Sequence, residues 1–378
     1  MVEWKNLTTV AEVQYGYPFD SSLFSEDENN IPLIRIRDVK PGEPSTYFLG
    51  EYPSEYIIHK GDILVGMDGE FNLAKWKSRD GLLNQRVLKL TGKNNQCLNG
   101  YLFHYMGPVF KKIELQTAGG SVKHLSAKAI NKIKIPIPSL EEQKRIVGIL
   151  DTFMDSIENL KQQIAQRRKQ YEHYRDQLLD LEGKEGVEMK TLGEICEIKN
   201  GYTPSTKNPA FWEGGIIPWF TLEDIRKNGR ILSDAIKHIT NLGIKKSGLF
   251  PKNSIIISTT ATIGEYALIK VDFLCNQQIT CLSIKKSLFN YLIPKYLYYL
   301  SNKIGNWCKK NVNGGGSLLI VSSSKLQRVE IPLPPLPEQQ RIVSILDTFE
   351  ASISNLEAQL EQRQKQYEYY RNQLLTFE

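Results

Sequence analysis

Residues 135–182 return almost unchanged at residues 331–378. At a constant offset of 196 residues, 31 of the 48 positions are identical. A repeat of this length predicts two copies of one structural unit and favours a molecule with approximate twofold symmetry. A binding protein built in this way can contact two separate segments of one target.

Each copy of the repeat carries the apolar pattern of a coiled coil. Apolar and aromatic residues recur at alternating intervals of four and three, which is typical of a heptad seam. One arginine interrupts each seam at the same layer. The first seam consists of Ile146, Leu150, Phe153, Ile157, Leu160, Ile164, Arg167, Tyr171, Tyr174, Leu178 and Leu181. The second consists of Ile342, Leu346, Phe349, Ile353, Leu356, Leu360, Arg363, Tyr367, Tyr370, Leu374 and Phe377.

The seams predict two helices of about 44 residues each, or about 65 Å at 1.5 Å per residue. Prolines end the segment before each helix, and Gly183 and Gly186 end the first one. We expect the helices to pair with each other; the alternatives are packing of each seam on its own domain, or a homodimer. The pattern fixes neither a parallel nor an antiparallel arrangement. The seam arginines either specify the register, meet a carboxylate, or extend their charged ends into solvent.

Charge is distributed unevenly along the chain. The total is +6, but residues 139–182 carry −2 and residues 335–378 carry −3. The remaining segments therefore hold +11, which suggests contact with a polyanion. The chain starts without a signal-peptide layout, and no apolar run reaches the roughly 20 residues of a transmembrane helix. Five cysteines without a CxxC pair or a Cys/His cluster argue against zinc and disulfides, so we expect a reduced, cytoplasmic location with no membrane contact.

The segments ahead of the helices resemble each other more loosely. Gly16-Tyr17 aligns with Gly201-Tyr202, and Asp38 aligns with Asp224. Three longer pairs of strings also align: KGDILVGMDG with KNSIIISTTA, LNQRVLKL with CNQQITCLSI, and TAGGSVKHLS with NGGGSLLIVS. Alternating apolar residues and frequent turn residues predict short strands, turns and a few helices. A scaffold that repeats while its tips differ is expected of two recognition domains with different targets.

A variable domain, a proline-rich motif and a long helix follow one another twice along the chain. In this order the chain resembles the DNA specificity subunits of Type I restriction-modification systems. The resemblance covers essentially the whole chain. Its most specific motifs are Ile135-Pro136-Ile137-Pro138, Glu142-Gln143 and Arg145-Ile146, repeated as Ile331-Pro332-Leu333-Pro334, Glu338-Gln339 and Arg341-Ile342.

The resemblance implies an α+β fold. Two mixed α/β target-recognition domains (1–138 and 187–334) would stand in tandem with two conserved long helices (139–186 and 335–378). These helices would form an antiparallel intramolecular coiled coil with pseudo-twofold symmetry. Each domain would read one half of a bipartite site in double-stranded DNA.

The same resemblance implies the partners. The helices would set the spacing between the half-sites and dock two methyltransferase (modification) subunits. Nuclease/translocase (restriction) subunits would complete the complex. S-adenosylmethionine and ATP would be bound by these partner subunits, and this chain would hold no cofactor.

A search for catalytic motifs supports a chain that is not an enzyme. The string nearest to the (N/D)PP(Y/F) element of amino-methyltransferases is Asn208-Pro209-Ala210-Phe211, which we interpret as a turn. No GxxxxGK[ST] loop is present, and Gly119-Gly120 and Gly314-Gly315-Gly316 lack the lysine of a phosphate loop. The five histidines show no metal-ligand spacing: His59, His104, His124, His173 and His238.

Bases are read by Arg, Lys, Asn and Gln, whereas Ser, Thr and backbone amides bind phosphates. The candidates in the first domain are Tyr17, Arg35, Arg37, Lys75, Lys77, Arg86, Ser121, Lys123 and His124. Those in the second are Tyr202, Thr203, Thr221, Thr259, Thr260, Gln277, Gln278 and Ser317. The alternative for each is a solvated loop residue or a turn former. Asn84-Gln85 recurs as Asn276-Gln277, which favours a structural role, whereas Arg86 and Gln278 differ and are better candidates for base discrimination.

Two competing hypotheses remain at this point. One is a coiled-coil scaffold whose two domains bind proteins and touch no nucleic acid. The other is an orphan bifunctional enzyme, which the absence of cofactor and catalytic motifs disfavours. The basic globular segments favour DNA binding over the scaffold, and a salt-titrated DNA-binding assay separates the two.

Overall fold

The computed structural model describes residues 2–93, 95–117, 123–312 and 319–377. Its contacts divide the chain into two compact units. Unit 1 comprises Met1–Gln162 with Glu357–Glu378, and unit 2 comprises Gln163–Leu356. Each unit thus combines one globular segment with parts of both long helices, so the compact units differ from the linear domain boundaries predicted from the sequence.

Short strands dominate the globular part of unit 1. The strands are β1 (Glu3–Asn6), β2 (Ala11–Tyr15), β3 (Phe24–Ser25), β4 (Ile31–Ile34), β5 (Tyr47–Phe48), β6 (Ile57–Ile58), β7 (Ile63–Gly66), β8 (Leu73–Lys75), β9 (Gly81–Leu83), β10 (Val87–Gly92) and β11 (Lys134–Ile137). The helices are α1 (Leu7–Val10), α2 (Ile36–Val39), α3 (Asn99–Gln116) and α4 (Ala127–Ile130). The first long helix, α5 (Leu140–Leu178), begins in unit 1 and ends in unit 2.

Unit 2 has the same kind of composition. Its strands are β12 (Glu188–Thr191), β13 (Cys196–Asn200), β14 (Ile217–Phe220), β15 (Ile231–Leu232), β16 (Lys237–Ile239), β17 (Ser254–Ser258), β18 (Tyr266–Ile269), β19 (Leu274–Cys275), β20 (Ile279–Ile284) and β21 (Glu330–Leu333). Its helices are α6 (Leu192–Ile195), α7 (Leu222–Asn228), α8 (Pro294–Lys310) and α9 (Ser323–Leu326). The second long helix, α10 (Leu336–Leu375), begins in unit 2 and ends in unit 1. The predicted turn at Asn208-Pro209-Ala210-Phe211 is a single 3₁₀ turn, Pro209–Phe211.

The two units repeat one sheet topology. Unit 1 has an antiparallel sheet in the order β2-β10-β7-β8, and unit 2 has β13-β20-β17-β18 with β15 added at its edge. A second sheet in each unit contains a parallel pair, β4 with β9 and β14 with β19. The loosely related sequences therefore build one α+β scaffold twice.

The aligned glycines Gly16 and Gly201 are required by close backbone approach. A Cβ on Gly16 would lie 2.0 Å from the carbonyl oxygen of Asn84, and one on Gly201 would lie 2.2 Å from that of Cys275. No side chain fits at such distances, so both turns need glycine. The shared Gly-Tyr string is therefore a feature of the scaffold.

The repeated proline-rich motif fastens each long helix to its globular segment through a buried glutamine. Gln143 has no exposed surface. Its Oε1 accepts from the Leu98 amide at 2.9 Å, while its Nε2 donates to the carbonyls of Gln96 and Pro138 at 2.8 and 3.0 Å. The hydroxyl of Tyr101 donates to the Pro136 carbonyl at 2.7 Å. These bonds satisfy backbone groups that would otherwise be buried without partners.

The second copy of the motif reproduces this arrangement. Gln339 is also fully buried and accepts from the Ile293 amide at 2.9 Å. It donates to the carbonyls of Tyr291 and Pro334, both at 2.8 Å. Tyr296 donates to the Pro332 carbonyl at 3.0 Å, as Tyr101 does to Pro136 in the first copy. The motif is thus a helix-docking device in both units.

Within each unit the long helices contact each other through their aromatic seam residues. In unit 2, Tyr174 stacks on Phe349 with ring centroids 5.4 Å apart, and the Arg167 guanidinium lies 5.9 Å from the same ring. In unit 1, Tyr370 stacks on Phe153 at 5.2 Å, with Arg363 5.6 Å from that ring. The seam arginines therefore make cation–π contacts. The sequence suggests a register role, a carboxylate partner or solvent exposure for them, but not this contact.

The ends of the seams also pack on globular segments. Leu178, Leu179 and Leu181 contact the core of unit 2, and their repeat equivalents Leu374, Leu375 and Phe377 contact the core of unit 1. The helices end at Leu178 and Leu375, a few residues before the predicted ends. The last seam residues therefore belong to the domain cores.

A buried histidine joins three elements of unit 1. The side chain of His104 on α3 is fully buried; its Nε2 lies 2.8 Å from Asp151 Oδ1 and its Nδ1 lies 3.0 Å from the Tyr367 hydroxyl. Burial lowers the pKa of His104 and outweighs the carboxylate of Asp151, while the cations Lys75 and Arg371 act in the same direction as burial. The imidazole is therefore neutral in the fold near pH 7.

We expect His104→Tyr to reduce the acid sensitivity of unit 1. Because the pKa of His104 is lower in the folded than in the unfolded chain, the unfolded chain binds more protons, and stability falls as the pH drops below about 6.5. Tyrosine is a natural replacement, since Tyr299 in unit 2 donates from the same place on its helix to Asp347. Thermal melting between pH 7.5 and 5.5 tests this, with the exposed His173→Tyr as the matched control. An unchanged pH slope in His104→Tyr would contradict it.

Candidate nucleic-acid interface

Several of the predicted DNA contacts of the first domain surround one cavity. It measures about 380 Å³ and is lined by Arg35, Ile36, Arg37, Asn84, Gln85 and Arg86. One wall is the turn between β4 and α2, and the other is the turn between β9 and β10. The parallel pairing of β4 with β9 brings the two turns together.

A buried aspartate shapes the first of these turns. Asp38 is 2% exposed, and its carboxylate accepts from the Arg35 amide at 2.9 Å and from the Ser45 hydroxyl at 2.6 Å. Arg37 donates from Nε to Ser45 Oγ and from Nη2 to Thr46 Oγ1, both at 2.8 Å. The Arg35 guanidinium lies 5.8 Å from the centre of the Phe24 ring. Asp38 thus fixes the backbone that presents both arginines.

The second turn is held by Asn84 and Tyr17. Asn84 is 6% exposed, and its side chain accepts from the Gln85 amide at 2.9 Å. The Tyr17 amide donates to the Leu83 carbonyl, and the Gln85 amide donates to the Tyr17 carbonyl, both at 2.9 Å. The expected structural role of Asn84 agrees with these contacts. Arg86 follows with a φ of 71°, in the left-handed region that non-glycine residues rarely occupy.

One carboxylate joins Arg86 to His124. Asp68 Oδ2 lies 3.6 Å from Arg86 Nε, and Asp68 Oδ1 lies 2.6 Å from His124 Nδ1. The side chains of Arg86 and His124 are 56% and 42% exposed. Both candidates are therefore accessible, and both contact Asp68.

The lysine candidates of unit 1 have acidic partners. Lys123 Nζ lies 3.6 Å from Glu114 Oε1. Lys75 and Lys77 extend toward α5, where their Nζ atoms lie 3.6 Å from Asp151 and 4.0 Å from Glu158. Lys75 also lies over the Phe103 ring. Contact of these lysines with DNA stays a prediction; Ser121 lies outside the described residues.

In unit 2 the turn that corresponds to Arg35 is capped in the same way. Asp224 is 1% exposed and accepts from the amide and the hydroxyl of Thr221, at 2.7 and 2.9 Å. Thr221 is therefore the N-cap of α7. This bond gives Thr221 a structural role beside its predicted contact with DNA.

The other candidates of unit 2 form two small groups of polar contacts. Thr203 donates to the exposed Gln277, and the Tyr202 hydroxyl accepts from the Lys245 amide at 2.8 Å. Lys245 also places its ammonium 4.4 Å from the centre of the Tyr202 ring. This lysine was not among the sequence candidates, because nothing in its local sequence indicates that it meets Tyr202.

The second group of candidates lies near the carboxyl end of β17. Thr259 is 3% exposed and shares a hydrogen bond of 2.8 Å with the hydroxyl of Thr280. Thr260 pairs with Ile320 in an isolated β-bridge. The Gln278 amide donates to the Asn276 side chain at 3.1 Å. Thr259 has a structural partner, whereas Thr260 and Gln278 are partly exposed; Ser317 lies outside the described residues.

The two units differ in charge at corresponding positions. Arg35, Arg37 and Arg86 of the first unit correspond to Thr221, Glu223 and Gln278 of the second. At these three positions unit 1 carries three guanidinium groups, whereas unit 2 carries a hydroxyl, a carboxylate and an amide. Sequence reasoning found the arginines but missed Asp68 and Lys245, which only the folded chain brings to the candidate residues.

Comparison with known proteins decides the family. The model of the Type I restriction modification DNA specificity domain matches residues 1–167 and 184–364. The chain belongs to this family. The predicted identity as a non-catalytic DNA specificity subunit is confirmed, and the DNA-binding hypothesis is favoured over the protein-binding scaffold.

Two relatives from Escherichia coli show the extent of the likeness. This specificity subunit is 34% identical over 402 aligned residues to the specificity subunit of the Type I restriction enzyme EcoR124I/EcoR124II, and the match covers 100% of this chain and 94% of that one. It is 42% identical over 214 residues to the EcoprrI specificity subunit, covering 54% of this chain and 53% of the relative. The second match is closer but confined to about half of each protein.

The fold also matches a solved specificity subunit. The crystal structure of the S subunit of a Type I restriction-modification system from M. genitalium aligns with a TM-score of 0.61 and 15% identity, over 100% of this chain and 97% of that chain. At this identity the likeness establishes the fold, and it confirms the α+β class for this specificity subunit.

Two searches of the described residues bear on membranes and metals. Within those residues, no helix has both the length and the apolarity to cross a membrane. The same part of the chain contains no group of three or more His, Cys, Asp or Glu side chains arranged to hold a metal ion. All five cysteines are buried as free thiols.

Proposed function

We propose that each globular segment of this specificity subunit reads one half of a bipartite site in double-stranded DNA. The observation that carries the proposal is a scaffold that occurs twice while the side chains at corresponding turn positions differ. A shared backbone places Arg86 and Gln278 at the same turn, so the units differ in the side chains suited to read base edges. Two domains with the same backbone scaffold and different side chains can recognise a DNA site whose two halves differ in sequence.

The two long helices are proposed to form an antiparallel coiled coil that fixes the gap between the half-sites. Contacts inside unit 2 support the direction. Arg167 meets Phe349. Lys184, further along the chain, lines the same groove as Glu338, which precedes Phe349. Lys184 also adds to the larger effect of Arg341 in lowering the pKa of Glu338. Both contacts support an antiparallel arrangement of the two segments within that unit. The pseudo-twofold symmetry of the whole molecule stays a prediction.

The partners are proposed to be two methyltransferase subunits, joined by nuclease/translocase subunits in the restricting complex. Unit 2 offers a groove of about 730 Å³ along both long helices, lined in part by Tyr174, Leu178, Arg341 and Phe349. A partner helix fits such a groove. S-adenosylmethionine and ATP are proposed to bind to these partners, because this chain carries none of the corresponding motifs.

The proposal is tested by mapping DNA methylation in a host that expresses this subunit with its methyltransferase partner. We expect methylated sites of two fixed half-sequences separated by a constant gap. The purified complex should bind a duplex of that sequence with an affinity that falls steeply with salt. Methylation without a bipartite sequence, or salt-independent binding, would contradict the proposal.

Two substitutions in unit 1 separate base readout from phosphate contact. Arg86→Ala is expected to relax the preference within one half-site. Lys123→Ala is expected to weaken binding to all sequences alike and to lower the salt slope by about one. Binding titrations with matched and mismatched duplexes distinguish these outcomes. An unchanged half-site preference in Arg86→Ala would remove this arginine from the readout.

A further inference from the structure

A trio of side chains in unit 1 is absent from the equivalent junction of unit 2. Three loops meet at Asp68, Arg86 and His124 through backbone bonds: the Met67 amide donates to the Arg86 carbonyl at 2.8 Å, and the Leu125 amide donates to the Met67 carbonyl at 2.7 Å. Asp68 and His124 form an isolated antiparallel β-bridge. The junction is therefore held by the main chain.

Unit 2 builds the same junction with other side chains. Thr260 and Ile320 form the equivalent antiparallel bridge, and the Val321 amide donates to the Thr259 carbonyl at 2.9 Å. The Arg86–Asp68 ion pair and the His124–Asp68 contact have no counterpart there, because Asp68, Arg86 and His124 correspond to Thr260, Gln278 and Ile320. The backbone arrangement thus forms without the trio, and all three residues differ together.

Structural stability does not explain the trio. The Arg86–Asp68 pair is half exposed on the arginine side, and exposed ion pairs contribute little to folding. Arg86 also has a φ of 71°, which is strained for a residue with a side chain. Among the described residues, the other non-glycine residues with positive φ are Asn253 and Ala261, which align with Gly61 and Gly69. Arg86 therefore occupies a strained position that its counterpart Gln278 does not share.

The geometry suits recognition of one base. The ion pair uses Nε of Arg86, on the inner side of the guanidinium, so the terminal nitrogen atoms form its outer edge. An oriented guanidinium matches the O6 and N7 acceptors of guanine with two parallel hydrogen bonds. Asp68 attracts the guanidinium from its Nε side at 3.6 Å, and His124 lies 2.6 Å from the other oxygen of Asp68. Both therefore act as positioning residues.

We infer that Arg86, oriented by Asp68 and His124, reads a guanine in the half-site of unit 1, and that unit 2 reads its half-site without this device. The inference rests on the proposed function. The amide of Gln278 at the equivalent place is suited to adenine, so the two half-sites are expected to differ there.

The test starts from the complex of this subunit with its methyltransferase subunits. Duplexes are selected from a randomised pool with the wild-type complex, with Arg86→Ala, and with Gln278→Ala. We expect a bipartite wild-type consensus. Arg86→Ala should lose a guanine from one half, and Gln278→Ala should alter only the other half. A pool without any consensus would overturn the proposed function, whereas a consensus that Arg86→Ala leaves intact would overturn this inference alone.

A second measurement asks which atom is read. Replacing the selected guanine by 7-deazaguanine removes N7, and the wild-type complex should then bind about 5- to 150-fold more weakly. Arg86→Ala should show no further loss on the same duplex. A full penalty in Arg86→Ala would overturn the contact.

The positioning role is tested with Asp68→Asn, which keeps the size of the side chain. The penalty for 7-deazaguanine should shrink while the melting temperature stays near that of the wild type, because the junction is held by backbone bonds. A purely structural role would instead lower the melting temperature and leave the penalty unchanged, and that result would overturn the assignment of Asp68.

Discussion

Replacing Gln339 by alanine is expected to lower the free energy of unfolding by about 3 kcal/mol or more. The side chain is fully buried and satisfies the Ile293 amide and the carbonyls of Tyr291 and Pro334. Alanine leaves these three groups without partners, and each unsatisfied buried group costs about 1–3 kcal/mol. Partial entry of water keeps the total below the sum. Urea unfolding monitored by circular dichroism measures the change.

The neighbouring glutamine provides a matched control. Gln340 is exposed on the same turn of α10, so Gln340→Ala should change stability by no more than about 0.5 kcal/mol. Gln339→Glu tests the hydrogen bonds directly, because it replaces the donating Nε2 by an oxygen that faces two carbonyls. If Gln339→Glu were as stable as the wild type, docking by this glutamine would be refuted.

The repeat and its heptad seam were sufficient to predict the two long helices. Hydrophobic periodicity is a local signal, and it located α5 and α10 to within a few residues at their ends. It could not show that Leu178 and Leu374 pack on a domain core. The facing helix and the domain core are both apolar, so the periodicity does not indicate which of them a leucine contacts.

The function of the repeated motif was visible only in the fold. Gln143 and Gln339 recur in the sequence, but two of the three partners of each lie more than 40 residues away. A polar residue beside a helix start gives no local sign that it will be buried. The resemblance to a family identified the motif, and the hydrogen bonds supplied its physical reason.

The candidate interface was predictable in part. Alignment of the two halves singled out Arg86 against Gln278 and a structural role for Asn84, and the structure places Arg86 at the edge of a cavity. The role of Asp68 was missed because it depends on contacts among three loops that are distant in sequence. Composition and charge favour the globular segments as the parts that bind DNA, whereas the orientation of a single guanidinium is a tertiary property.

Deleting one heptad from both long helices, residues 159–165 and 355–361, is expected to abolish methylation at the wild-type site. Seven residues correspond to about 10 Å of helix, or about three base pairs at 3.4 Å each. The seam keeps its phase, so the proposed antiparallel pairing survives at a shorter length. Binding should then move to duplexes with a shorter gap, or disappear if the accompanying rotation of about 100° prevents simultaneous contact.

The control for this deletion keeps the length and removes side chains. Lys161→Ala with Glu361→Ala alters exposed residues inside the deleted segments, and it should leave the preferred gap unchanged. Selection from duplexes with gaps of every length measures both variants. Because helix length is the quantity that the deletion changes and the control preserves, retention of the original gap by the deletion would show that the helices do not set the spacing.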